Sequence, residues 1–143
     1  MSFIHDNTIQ SYNVDFEAEM LTIKTLYHTD KIIEKTDVVF MGYLAHSFDH
    51  EMKNSIIFDI EEYPFNLFFE ENSLFLQERK DYGWPILYPT ENELIKFFKT
   101  HDYKIFEVCS SLGLSGWIFA KQMEIIIKST EGVSNVPLIQ LTN

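Results

Sequence analysis

Over the first third of the chain, apolar and polar residues alternate with a period of two. In "SYNVDFEAE", Tyr12, Val14 and Phe16 alternate with Asn13, Asp15 and Glu17, which predicts a half-buried strand. "MLTIKTLYH" keeps Leu21, Ile23 and Tyr27 on one face and predicts the second arm of a hairpin. "TDVVFMGYLAHSF" is apolar on both faces, which predicts one more central strand. "SIIFDIEE" places Ile56, Phe58 and Ile60 on a common face.

The period then changes. In "YPFNLFFEENSLFLQERK", Pro64 suits a first helical turn, where its missing N–H costs nothing, and Phe65, Phe68, Phe69, Phe75 and Leu76 recur at helical spacing. Gly83, Pro85 and Pro89 interrupt the chain. In "TENELIKFFKTH", Thr90 and Glu93 form a capping-box pattern ahead of the apolar stripe Leu94, Ile95, Phe97 and Phe98. Strand patterns return in "YKIFEVCSS" and "GWIFAKQMEIIIK". In the second, Trp117, Phe119, Met123, Ile125 and Ile127 fall on one face. The loop "LGLSG" between them predicts a tight hairpin, with Gly113 or Gly116 supplying the positive φ. Strands, then helices, then strands predict an α+β fold: an antiparallel sheet of five to seven strands with two helices on one face. The expected organisation is a single domain over 1–143, with 128–143 as a partly ordered tail.

Charge and composition narrow the functional classes. Eleven basic and 22 acidic residues give a formal charge of −11, and the longest basic run is the Arg79-Lys80 pair. Nucleic acid and anionic membranes are poor partners for such a chain, since phosphates need a basic face. A basic protein partner fits better. The lone Cys109 excludes an internal disulfide and suits a cytoplasmic setting. The start "MSFIHDNTIQ" lacks the pattern of a signal peptide.

Several segments hold candidate chemistry. In "AHSFDHEMK", His46 and His50 would share a metal ion on a helix, but strand spacing separates them by about 13 Å, so no metal site is expected. Glu51-Met52-Lys53 is half of a metal-dependent nuclease pattern and lacks a firm upstream acid. "SSLGLSGW" matches neither G-x-S-x-G nor a phosphate loop. The acidic cluster is richer: Asp59, Glu61 and Glu62, then Glu70 and Glu71, with Tyr63, Tyr82 and Trp84 nearby in sequence. A solvated face is the commonest meaning of such a run. Carboxylates beside aromatics also suit an interface with a basic protein.

Taken in order, "VVFMGYLAHSF", "NSIIFDIEE", "RKDYGWP" and "SSLGLSGWIFAKQMEI" resemble a family of small acidic proteins of Bacillus and related bacteria. These are encoded beside large polymorphic or wall-associated contact toxins and are thought to act as immunity proteins. The resemblance runs from Tyr12 to Ile127. It implies a non-catalytic inhibitor of a cognate toxin domain, such as a basic nuclease, and carries no catalytic, cofactor or metal residue. The partner surface is expected at Asp59, Glu61, Glu62, Tyr63, Glu70, Glu71, Tyr82 and Trp84. The alternative is a small ligand-binding protein or enzyme, with an apolar pocket between sheet and helices. An exposed edge strand would also allow a homodimer.

Overall fold

The structure, a computed structural model, describes residues 4–132. Five strands come first: β1 (Thr8–Asp15), β2 (Met20–His28), β3 (Ile32–Met41), β4 (Ala45–Asp49) and β5 (Ile56–Glu62). Three helices follow, α1 (Phe65–Glu71), α2 (Ser73–Lys80) and α3 (Glu91–Thr100). Then come β6 (Lys104–Leu112), β7 (Ser115–Ala120) and β8 (Gln122–Gly132). The class is α+β and every strand pair is antiparallel. Among the described residues there are eight strands rather than five to seven, and three helices rather than two.

Each extra element has a local cause. The apolar run read as one strand breaks at Gly42, whose φ is +67°, into β3 and β4. The long amphipathic stretch breaks at Asn72. There the Asn72 amide donates to the Phe68 carbonyl and the Ser73 hydroxyl to the Phe69 carbonyl, side-chain bonds that compete with helix continuation. Residues 128–132, expected in the tail, extend β8 against β3; the remainder of that expected tail, 133–143, lies outside the described residues. Pro64 sits one position before α1, and the Thr90 hydroxyl caps α3 by accepting from the Glu93 N–H.

The strand order is β4-β7-β6-β5-β1-β2-β3-β8, which a flat sheet cannot satisfy. β3 and β4 stand six strand spacings apart, about 29 Å in a plane. The chain from Met41 to Ala45 reaches at most about 14 Å. Only Lys121 separates β7 from β8, which also stand six spacings apart. The sheet therefore folds over on itself at β5 and β1, which share only the pair Thr8–Ile56. Half-sheet β4-β7-β6-β5 faces half-sheet β1-β2-β3-β8, and β3–β4 and β7–β8 cross between them side by side. The crossings are bonded to each other: Lys121 N–H donates to the Met41 carbonyl and Leu44 N–H to the Phe119 carbonyl.

Two apolar layers result. Between the half-sheets lie Leu21, Ile23, Val38, Phe40, Ile57, Ile60, Phe106, Val108 and Ile118. Between the first half-sheet and the helices lie Phe68, Phe69, Leu76, Leu94, Phe98, Ile105 and Phe119. Trp117 and Phe119 belong to the helix side while Met123 and Ile125 pack into the sheet-on-sheet layer, so the single face read across them is divided. The Lys121 corner shifts the side-chain parity by one. In β5 a register irregularity between Ile57 and Asp59 likewise breaks the face read for Ile56, Phe58 and Ile60: Ile57 and Ile60 are buried and Phe58 is 56% exposed.

Candidate functional site: an acidic sheet face

The bulge in β5 decides where its carboxylates point. With Ile57 and Ile60 turned into the sheet-on-sheet layer, Asp59, Glu61 and Tyr63 face the helix side. On β6, Glu107 lies opposite Glu61 and Cys109 opposite Asp59; on β7, Trp117 lies opposite Glu107. The helices cover one end of this face, over Ile105 and Phe119, and stop short of the carboxylates. The result is a short, half-open strip of Asp59, Glu61, Glu107 and Cys109, closed at one end by the rings of Tyr63 and Trp117, which meet edge to face at 5.0 Å.

The electrostatics follow from the crowding. Asp59 stands two residues from Glu61 on the same face, and side-chain hydrogen bonding with Asp59, then the Asp59 charge, hold the exposed Glu61 carboxyl above its ordinary range. The Tyr63 hydroxyl donates to the Glu71 carboxylate. This bond, with smaller contributions from burial and from the charges of Glu71 and Glu107, pushes the phenol up to about 12. Burial, reinforced by Glu107, pushes the Cys109 thiol up to about 11. Among the described residues the only ion pair is His5–Asp6 at 3.6 Å, so no Lys or Arg is paired with these carboxylates.

Of the eight residues expected at a partner surface, Asp59, Glu61, Tyr63 and Glu71 come together here. Glu62 does not: it has the opposite parity, pairs with Phe106 and lines a hollow with Lys104 and Gln122. Glu70 points into a separate hollow beside Asn66, Ser73 and Glu91. Tyr82 is 88% exposed on the connection to α3. Trp84 is a packing residue, with its ring against Phe75 at 5.5 Å and Phe119 at 5.3 Å. Glu107, Cys109 and Trp117 were missed because only the β5–β6–β7 register brings them to the cluster. An acid inside the otherwise apolar "IFEVC" was the one available signal.

The other candidates resolve into structure. His46 lies in β4 with its Nδ1 2.7 Å from the Tyr43 hydroxyl, and burial lowers its pKa. His50 follows in a turn at φ +58°. Among the described residues, no group of three His, Cys, Asp or Glu side chains is placed to hold a metal ion. Gly113 and Gly116 both take positive φ in the β6–β7 hairpin, and a Cβ on Gly116 would lie 2.0 Å from the Ser47 carbonyl oxygen. The space between sheet and helices is filled by rings that meet one another. A larger cavity, about 830 Å³, lies elsewhere. It runs along the seam where β1 parts from β5, lined by Gln10, Tyr12, His28, Glu51 and Ser55 among others.

Compared with known proteins, the chain matches no family model, no curated protein and no solved structure. No helix among the described residues is long and apolar enough to cross a membrane.

Proposed function

We propose that the protein is a non-catalytic immunity protein that neutralises a cognate toxin domain through its acidic sheet face. The observation that carries this reading is the alignment of Asp59, Glu61 and Glu107 on adjacent strands, paired with no Lys or Arg among the described residues and bordered by Tyr63 and Trp117. A basic toxin domain would supply the missing positive charge, and the two rings would supply the apolar anchor that most interfaces need. The carboxylates would then stand where a nuclease expects phosphates. Inhibition is stoichiometric on this reading and asks for no cofactor.

The test is a calorimetric titration against the C-terminal domain of the toxin encoded beside the gene, at low and moderate salt. One-to-one binding that weakens with salt is expected, with Glu61→Lys/Glu107→Lys weaker by about tenfold or more. Glu62→Lys, on the opposite face, serves as the control and leaves affinity unchanged. Cys109 adds a footprint, since the complex slows its alkylation. Unchanged affinity in the folded double variant removes this face from the reading.

A second reading rests on the seam cavity. Its volume falls within the range of small-molecule sites, about 300–1,000 Å³, and Gln10, Tyr12, His28 and Glu51 offer polar groups around one space. A small polar-aromatic ligand would bind there. Ligand-observed NMR against a fragment set checks this, with Ser11→Trp filling the groove and abolishing any specific signal.

A further inference from the structure

The two edges of the sheet are treated differently. β4, at one edge, is five residues long; β8, at the other, runs for eleven and carries three consecutive isoleucines. Long apolar edges are a hazard that folds normally blunt, because their free N–H and C=O groups recruit another strand. Here Ile126 and Ile127 are 36% and 54% exposed. Glu124 and Lys128, flanking them, have no ion-pair partner among the described residues.

The sequence of this edge is complementary to itself. An antiparallel pairing of β8 with a second β8, centred on Ile126, places Ile126 opposite Ile126, Ile125 opposite Ile127, and Glu124 opposite Lys128. The Glu124–Lys128 pair forms twice, once on each side of the two-fold axis. Centring on Ile125 would set Glu124 against Ile126, and centring on Lys128 would set two lysines against each other. Only the Ile126 register satisfies both charges while covering all three isoleucines. The irregularity between Lys35 and Thr36 leaves Lys128 without a residue opposite it on β3, so its side chain is not committed to a neighbour within the chain.

We infer that β8 is a homodimerisation edge, through which two copies of this chain pair antiparallel about Ile126 and join their eight-stranded sheets into one. The surface lies at the opposite end of the strand order from β4, β7 and β6, so the inference does not rest on the acidic face. A single strand pair buries less area than a standard interface, which suits a weak, reversible dimer.

The experiment is sedimentation equilibrium of the full chain from about 5 to about 200 µM, a span that brackets a micromolar constant. A reversible monomer–dimer equilibrium is expected. Glu124→Lys alone and Lys128→Glu alone each place like charges opposite one another and weaken it by about tenfold or more. Mixing the two variants restores it, because each then presents the complement of the other. Should either reversal fold poorly, Ile126→Lys places two lysines on the axis and is read in the same way. A wild-type chain still monomeric at the highest concentration overturns the inference. So does a dimer that neither reversal weakens, or a mixture no tighter than its components.

Discussion

The two apolar layers are built from different residues, and the difference reports what each layer joins. The sheet-on-sheet layer is mainly aliphatic, with Leu21, Ile23, Val38, Ile57, Val108 and Ile118 interleaving across a thin gap. The helix-on-sheet layer is mainly aromatic. Phe68 alone meets Phe69, Phe75, Trp117 and Phe119 at centroid distances of 4.8 to 6.4 Å. Short helices of seven to ten residues bury little backbone and need large side chains to reach the sheet. Edge-to-face rings also hold one another in place, which suits helices with little stability of their own.

The largest expected effect is in the aromatic layer. Phe68→Ala removes a fully buried ring that four others touch, and should cost about 3–5 kcal/mol in urea unfolding. A cost under about 1.5 kcal/mol, the range of a single buried methyl group, would mean the helices settle onto the sheet and the rings are not interlocked. In the aliphatic layer Ile23→Val removes one methylene from a buried site and should cost about 0.5–1.5 kcal/mol. If that change proved as costly as Phe68→Ala, the contrast between the layers would fail.

The smallest effect lies at the rim of the aromatic layer and is read by pH. In the folded chain Tyr63 ionises near pH 12 because its hydroxyl donates to Glu71, against 10.0 for a free phenol. The folded state therefore holds its proton more tightly than the unfolded chain does. The resulting stability is fully present below pH 10 and is lost as the pH rises through 12. Tyr12, bonded to Glu51, is likewise pushed up to about 12. Ultraviolet titration should thus find one fewer late-ionising tyrosine in Glu71→Gln. An unchanged titration would show that the Tyr63–Glu71 bond does not persist in solution.

What the sequence revealed divides along the same lines. Local periodicity was enough for the alternation of Leu21 and Ile23 and for the α3 stripe of Leu94 and Phe98, because those residues answer to their own element. Folding of the sheet onto itself was hidden. Val38 to Phe48 reads as one apolar strand, and only Gly42 marks the corner, with a positive φ that a sequence does not display. The partner surface suffered most. Glu61 and Glu62 face opposite ways by strand alternation, but the β5 irregularity sets which of them faces the helix side, and Glu107 joins the cluster across a gap of more than forty residues.

The paired crossings also govern how the chain must assemble. β8, the last described strand, binds β3, whereas β4 waits for β7, so neither half-sheet is complete until sequence from both ends of the chain has arrived. Contacts of such long separation close late and slowly, since loop entropy is lost before they form. A chain emerging from the ribosome would hold β3 with an open edge until Lys121 and β8 had been made. The two crossings make the half-sheets a single cooperative unit, gained or lost together.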